Sequence, residues 1–366
     1  MGVSAIMNNH PSTNTGIIIP TMDRADFLIR QLSYYASVRC PHTIYIGDSS
    51  SKEESEKIQN EIKRLGNIIN VRYLYLPSHS IWQAHYRLTT EVKEKYTCLS
   101  GDDDYQIPNS VTKCAEFLEA NQDYTTASGH AVSFRLKRHG VYGELLRLAD
   151  YPRGQIENDT GAERIINFFN NYFVTFFSVN RTEQTREYWR SSEKIPDRSF
   201  GSEILPSSLP LIHGKSKILD CLSFVRQIHN QHHTLANTFD WITSPEWHPS
   251  YLIVKETLAK NLVAKDNIPA KNATEVTRQS LWALLKIHLA KDYEMNYPAK
   301  EIKRIDKQGV KFIKSRIVRI FPISKPIYRM LIKPLITGKK EMNFEVLQPK
   351  SKYYQDFKPV MDSFTG

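Results

Sequence analysis

The feature that most constrains this sequence is a regular alternation of short apolar segments with amphipathic ones over its first 120 residues. Four apolar runs have the length of buried strands: residues 16–21, 44–48, 71–76 and 96–100. Apolar residues recur near helical spacing in four further segments: residues 24–37, 53–65, 81–94 and 109–120. Strands that alternate with helices form right-handed βαβ units. The sequence therefore predicts an α/β fold, Rossmann-like, with a mostly parallel sheet flanked by helices.

Three consecutive carboxylates, Asp102, Asp103 and Asp104, follow the fourth predicted strand. Anionic groups this close repel one another, and a hard divalent cation with oxygen ligands relieves that repulsion. An acidic turn or a helix N-cap is the alternative interpretation, because Asp is favourable in both places. The triplet alone therefore leaves a metal site and a solvated turn open.

Two further polar residues, Thr21 and Asp48, stand at the ends of predicted strands. Ligands of parallel sheets bind beyond the carboxyl ends of the strands, so we expect both residues to lie near the Asp triplet in one crevice. Asp48 precedes a run of serines, and a turn cap is the alternative for it. The sequence contains neither GxGxxG nor GxxxxGK[ST], so neither a dinucleotide fingerprint nor a P-loop is indicated.

Four segments together resemble glycosyltransferases of family 2, which have the GT-A fold. They are residues 17–24 (IIIPTMDR), 46–50 (IGDSS), 102–108 (DDDYQIP) and 200–203 (FGSE). The first resembles the opening strand and the nucleotide loop, the second the strand whose Asp contacts the base, the third the DxD segment, and the fourth the position of the catalytic acidic pair. The resemblance covers roughly residues 16–233.

The resemblance implies a site as well as a reaction. It places at the nucleotide sugar Pro20, Thr21, Arg24, Asp48, Asp102 and Asp103. It makes Asp104 and Asp102 the ligands of Mg²⁺ or Mn²⁺, and Glu203 the base that deprotonates the acceptor hydroxyl. The reaction implied is an inverting transfer of a sugar from a nucleoside diphosphate to a glycan or lipid-linked acceptor, as in a divergent surface-polysaccharide subgroup.

The sequence departs from the family pattern at the acidic positions. Gly101 stands where many members have the first Asp of the motif, and Ser202 replaces one acid of the pair. For Glu203, a helix-start residue favoured by the helix dipole is the alternative, and Asp197 is the substitute base if the register differs. For Arg24, the alternative to a phosphate contact is a surface residue at a helix N-terminus.

Several histidines are open candidates. Residues 76–88 lack the glycine and asparagine of many relatives, which leaves the contacts of Gln83 and His85 undetermined. One residue among His229, His232 and His233 is a candidate to complete the metal site, with polar loop residues as the alternative.

The basic character of the chain is concentrated near its C-terminus. The net charge is +10, and between Lys300 and Lys340 basic side chains outnumber acidic ones by eleven. Apolar residues interleave with these charges, a pattern that suits an anionic membrane surface, although prolines interrupt it. A solvated face packed on the catalytic domain is the alternative, and no nucleic-acid partner is expected because no recognition motif accompanies the charge.

These observations predict three parts: a flexible N-terminus (1–15) without a signal peptide, a GT-A domain (16–245) and a helical basic C-terminal region (246–366). The four cysteines lack metal-site spacing, and no apolar run reaches the ~20 residues that a membrane helix needs. We therefore expect a cytoplasmic protein, peripheral at the inner face of the membrane. The alternative function is a non-catalytic nucleotide- or nucleic-acid-binding protein on the same sheet.

Overall fold

The computed structural model describes residues 15–138, 140–230, 237–296 and 342–365. Within these residues the strands are β1 Thr15–Thr21, β2 Thr43–Asp48, β3 Val71–Tyr75, β4 Tyr96–Leu99, β5 Tyr105–Gln106, β6 Tyr124–Leu136, β7 Leu145–Tyr151, β8 Val179–Arg181 and β9 Lys215–Gln227. They form one sheet in the order β3-β2-β1-β4-β8-β6-β9-β5, with β7 paired to β6.

The helices of the described residues are α1 Ala25–Ser37, α2 Lys52–Leu65, α3 Ile81–Glu91, α4 Pro108–Ala120, α5 Gly161–Asn170, α6 Thr182–Ser192, a π-helix Phe200–Ile204, α7 Leu205–His213, α8 Thr238–Ile242, α9 Trp247–Asp266, α10 Ala270–Asn296, α11 Met342–Glu345 and α12 Tyr354–Thr365. The predicted α/β class, with flanking helices and a helical C-terminal part, is confirmed. No helix in the described part of the chain is long and apolar enough to cross a lipid bilayer.

The first half of the sheet is parallel and sets the position of the site. β1 pairs in parallel with β2 and β4, and β2 pairs in parallel with β3. In this register Thr21 lies opposite Asp48, and the backbone N–H of Ser100 donates to the carbonyl of Ile18. The ends of β1, β2 and β4 therefore meet at one edge of the sheet, as the alternation of segments predicts.

Beyond β4 the sheet is mixed. β8 runs antiparallel to β4 and β6, whereas β6 and β9 are parallel. The short strand β5 pairs antiparallel with β9, with Tyr105 opposite Val225. The Asp triplet thus lies in the connection between β4 and β5, and β9 brings its C-terminal end beside it.

The apolar run over residues 173–180 has the length and composition of a strand, but most of it does not form one. The structure is extended and paired only at β8, Val179–Arg181, and residues 173–178 form an irregular connection. This connection is apolar because Phe173 and Phe177 are buried in the protein interior and Val174 and Phe176 line a cavity. An apolar run of this length does not by itself distinguish a strand from a buried connection.

The last described residues pack into the core of the sheet. Phe357, Val360 and Phe364 of α12 are fully buried, and Phe364 stacks on Phe134 of β6 with 4.5 Å between ring centroids. Thr15, placed by prediction in the flexible N-terminus, begins β1, while residues 1–14 lie outside the described residues, as does the basic segment 300–340.

Candidate functional site

A cavity of about 410 Å³ opens at the edge where β1 and β4 end. Its walls come from the end of β1, the connection after β4, the start of α3, residues 174–177, the π-helix and the end of β9. Among the lining residues are seven of the predicted site residues: Pro20, Thr21, Arg24, Asp102, Asp103, Asp104 and Glu203. Most of the residues that the sequence singled out therefore lie together, as expected for residues that follow the carboxyl ends of parallel strands.

Asp102 is held by groups from the end of β1. The hydroxyl of Thr21 donates to Oδ2 of Asp102 at 2.8 Å, and Nη2 of Arg24 lies 3.1 Å from Oδ1. Burial, and next the neighbouring charge of Asp103, raise the pKa of Asp102 to about 7. Cations close to Asp102 therefore decide whether its carboxylate is ionised at neutral pH.

Asp103 forms the second half of the Arg24 contact. Nη2 of Arg24 lies 2.6 Å from Oδ2 of Asp103, and Nε2 of His229 lies 2.7 Å from the same oxygen. Phe27 supports both partners: its ring stacks on His229 at 4.7 Å, and the Arg24 guanidinium lies 4.8 Å from the ring centroid. Arg24 therefore bridges two carboxylates from the N-terminus of α1, with its side chain only 13% exposed.

Burial alone would lower the pKa of Arg24, but the charges of Asp102 and Asp103 raise it above its usual range. Of the three candidate histidines, His229 lies at the Asp triplet, and His232 and His233 lie outside the described residues.

Asp104 faces the end of β9. The backbone N–H of Gln227 donates to Oδ1 of Asp104 at 3.1 Å. Burial raises the pKa of Asp104 well above its usual range, and the charge of Asp103 adds to this effect. The nearby Arg226 opposes it, and the charge of Asp104 in turn raises the pKa of Arg226 against the effect of burial.

Gly101 explains how these carboxylates fit together. A Cβ at this position would lie 2.7 Å from Oδ1 of Asp103 and 3.0 Å from Oδ2 of Asp104. Gly101, the residue that departs from the quoted motif, has no side chain, and this leaves room for the carboxylates of Asp103 and Asp104 beside it.

The chemistry of the Asp triplet fits a hard divalent cation. Carboxylate oxygens are the ligands that Mg²⁺ and Mn²⁺ prefer, and Mg²⁺ completes its shell with water and phosphate oxygens. Burial raises the pKa of both Asp102 and Asp104, and the charges of Arg24 and Arg226 oppose this effect. Among the residues that the structure describes, no group of three or more His, Cys, Asp or Glu side chains could hold a metal ion, so a cation at the triplet would need oxygen ligands from phosphate and water as well.

Glu203 lines the same cavity from the π-helix. The hydroxyl of Tyr172 donates to Oε1 of Glu203 at 3.1 Å. Burial raises the pKa of Glu203, while Tyr172 and the cations Arg226, Lys291 and Arg198 lower it. A partly buried carboxylate with a raised pKa in a cavity is suited to accept a proton.

Asp197, the substitute base, has a structural role in this fold. Its oxygens accept hydrogen bonds from the backbone N–H of Phe200 and from Nε1 of Trp241. It is buried, and it is not among the described residues that line the cavity. The geometry therefore favours Glu203 over Asp197 as the carboxylate available to a ligand.

Asp48 reaches the predicted edge, but its side chain points elsewhere. It is 0% exposed and accepts hydrogen bonds from the backbone N–H of Ser50, the hydroxyl of Ser55 and the hydroxyl of Tyr73. Asp48 is absent from the described lining of the cavity. These contacts agree with the turn interpretation, and a contact to a nucleotide base stays a prediction.

Sequence reasoning assigned no role to several lining residues: Arg226, Arg198, Trp82, Phe176 and Phe177. Each belongs to an ordinary strand, helix or apolar run, and only the pairing of distant segments brings it to the cavity. His85, whose contacts the sequence left undetermined, also lines the cavity, whereas Gln83 caps the N-terminus of α3.

No protein-family model matches the chain, and no protein of curated function matches it. Among solved structures, the chain is similar to residues 1–349 of TarS from S. aureus, at 13% identity over 81% of this chain and 77% of that chain, with a TM-score of 0.47. The same fragment in complex with UDP-GlcNAc gives 12% identity, the same coverage and a TM-score of 0.49.

A mannosyltransferase, PcManGT from Pyrobaculum calidifontis, solved with GDP-Man and Mn²⁺, gives 9% identity over 86% of this chain and 81% of that chain, with a TM-score of 0.39. These similarities concern the course of the chain alone and assign no residue.

Proposed function

We propose that this protein is an inverting glycosyltransferase that moves a sugar from a nucleoside-diphosphate sugar to an acceptor hydroxyl. One observation carries the proposal: a single cavity brings the Asp triplet and Arg24 together with Glu203, a carboxylate from a distant part of the chain. A diphosphate needs cationic stabilisation as it leaves, and an attacking hydroxyl needs a base. The described cavity offers both kinds of group.

A side chain of the protein accepts the proton that the acceptor hydroxyl loses. Glu203 accepts the proton of the acceptor hydroxyl while that oxygen attacks the anomeric carbon, and Tyr172 holds the carboxylate in place through Oε1. A single displacement from the face opposite the diphosphate inverts the anomeric configuration. Arg24 lies at the Asp side of the cavity, where a guanidinium favours negative charge on the leaving diphosphate.

A divalent cation fits the Asp side of the same cavity. Mg²⁺ or Mn²⁺ held by Asp104 and Asp102 would neutralise negative charge on the diphosphate. The hydrogen bonds from Thr21 to Asp102 and from Gln227 to Asp104 support this assignment, because they restrict the orientations of the two carboxylates.

The acceptor in this proposal is a glycan or a lipid-linked glycan of surface-polysaccharide synthesis. The basic sequence between residues 300 and 340 supports work at an anionic membrane surface, since positive charge is attracted to acidic lipids. We place the protein at the cytoplasmic side of that membrane.

The proposal is tested by sugar transfer or donor hydrolysis with purified protein, Mn²⁺ and a panel of nucleotide sugars. Glu203→Gln removes the base at constant size and should lower kcat by about 100-fold or more, while the affinity for the donor is retained. Asp197→Asn is the matched control. We expect it to lower the thermal stability of the protein while kcat and the affinity for the donor change little. Donor binding without turnover in the wild-type protein, with every acceptor tried, would favour the non-catalytic alternative.

A further inference from the structure

His85 is a buried imidazole for which the protein supplies no hydrogen-bond partner. It lies on α3, is 3% exposed and forms part of the cavity wall. Neither Nδ1 nor Nε2 has a hydrogen-bond partner among the described residues. Buried polar atoms are normally paired, so this side chain calls for an explanation.

The surroundings of His85 are aromatic. Its ring lies 4.3 Å from the ring of the buried Trp189. Four apolar residues that line the cavity belong to the same hydrophobic cluster as Trp189: Trp82, Val174, Phe176 and Phe177. The cavity therefore combines an unpaired imidazole with apolar and aromatic lining, the composition of a small-molecule subsite.

The protonation state of His85 restricts the ligand. Burial lowers its pKa to about 3, so the ring is neutral at physiological pH, with one nitrogen as donor and the other as acceptor. A phosphate oxygen only accepts hydrogen bonds, so it can pair with the protonated nitrogen alone. A hydroxyl group both donates and accepts, so it can satisfy either nitrogen.

Both nitrogens are buried in this structure, so a contact to a ligand needs a turn of the ring. The torsion about its Cβ–Cγ bond has a broad, roughly two-fold preference, so the ring can turn without a change in the helix backbone. The aromatic side chains beside it suit the face of a carbohydrate ring that carries C–H bonds.

We propose that His85 hydrogen-bonds to a hydroxyl group of a carbohydrate ring of the nucleotide sugar, with Trp82 and Phe176 against the apolar face of that ring. This inference rests on the proposed function. Two carbohydrate rings of such a ligand carry hydroxyl groups, the ribose and the transferred sugar. His85 is thus a residue of the part of the donor site that binds a carbohydrate ring.

The test is calorimetric titration of the full chain, with Mn²⁺, by UDP, UDP-GlcNAc, GDP and GDP-mannose. His85→Phe keeps the ring volume against Trp189 and removes both nitrogens. For the nucleotide sugar that binds the wild-type protein, we expect the affinity of His85→Phe to fall about threefold to tenfold, the effect of one hydrogen bond. The affinity for the matching nucleoside diphosphate should be unchanged if the hydroxyl belongs to the transferred sugar.

The thermal midpoint of His85→Phe separates binding from folding. Because the variant loses two unpaired buried nitrogens, its midpoint should not fall. An equal loss of affinity for both ligands, at an unchanged midpoint, assigns the contact to the ribose hydroxyl. Arg87→Gln is the matched control on α3: it breaks the exposed ion pair with Glu91, away from the described cavity lining, and should leave the affinity for every ligand unchanged.

Two results would overturn the inference while leaving the proposed function intact. The first is that His85→Phe binds every ligand with the affinity of the wild-type protein. The second is that His85→Phe loses affinity equally for all ligands and also has a lowered thermal midpoint. If the wild-type protein binds none of the four ligands, the proposed donor class fails, and the role of His85 fails with it.

Discussion

The hydroxyl of Tyr172 donates a 3.1 Å hydrogen bond to Oε1 of Glu203. This contact joins the irregular chain after α5 to the π-helix, and the Tyr172 ring is in turn packed against Phe168 at 5.2 Å. Burial raises the pKa of Glu203, and the hydrogen bond from Tyr172 opposes that effect. The carboxylate that we propose as the base is therefore positioned and tuned by one aromatic side chain.

Removing the Tyr172 hydroxyl should change the pH dependence of the reaction. In Tyr172→Phe the ionised carboxylate loses a hydrogen bond, so the pKa of Glu203 rises further. A base acts in its ionised form, and the acidic limb of the kcat profile should therefore move to higher pH. At the plateau we expect kcat to fall by about tenfold, with little change in donor affinity.

The pH profile of Tyr188→Phe serves as the control, because Tyr188 is a buried tyrosine whose hydroxyl contacts Gln184, away from the described cavity lining. An acidic limb that is the same in Tyr172→Phe and in the wild-type protein would contradict the proposed role of this hydrogen bond.

Arg24 should stabilise the fold as well as the ligand. It is the cation shared by Asp102 and Asp103, and Arg24→Gln leaves two buried carboxylates without it. We expect the free energy of unfolding at neutral pH, measured with urea, to fall by about 2–4 kcal/mol. The affinity for a nucleoside diphosphate should fall too, because a positive charge is lost beside its binding position.

Arg64→Gln provides the comparison for this measurement, since it breaks an exposed ion pair with Glu61 whose loss should cost less than about 1 kcal/mol. Equal stabilities of the Arg24 and Arg64 variants would show that the buried bridge is not a stabilising contact.

Asp48 should be more important for stability than a typical strand-end carboxylate. Asp48→Asn places an amide where the fold presents donors from Ser50, Ser55 and Tyr73. We expect a loss of about 2–4 kcal/mol in the free energy of unfolding, because buried donors lose their acceptor. Tyr73→Phe should cost about 1 kcal/mol. Tyr75→Phe, at an exposed tyrosine, should cost almost nothing, and a similar cost for all three variants would argue against this network.

The parallel half of the fold was predictable because it depends on local periodicity. Short apolar runs and amphipathic helices alternate in the sequence. Parallel strands place Thr21 and the Asp triplet at one edge of the sheet, and this does not depend on the structure of the later part of the chain. The length of β8 was not predictable. Phe176 and Phe177 line the cavity and pack against the interior, and an apolar run that serves this purpose looks the same in sequence as a buried strand.

The site was predictable only where its residues stand at strand ends or in the quoted segments. Arg226 reaches the cavity, and Tyr172 reaches Glu203, through pairing and packing between distant segments, for which no local pattern exists. Asp48 shows the opposite limit: the strand-end rule placed its backbone at the correct edge, but Ser55 and Tyr73 turn its carboxylate into the protein. A rule for strand ends fixes the backbone position and leaves the direction of the side chain to its neighbours.

The most direct test of the account is calorimetric titration of the protein with UDP, GDP and CDP, with and without Mn²⁺, in the wild-type protein and in Asp104→Asn. We predict that one of the three nucleotides binds, that Mn²⁺ strengthens its binding, and that Asp104→Asn abolishes this strengthening while the protein remains folded. Binding of none of the nucleotides in the presence of Mn²⁺, or metal-dependent binding that Asp104→Asn leaves unchanged, would contradict the site described for this chain.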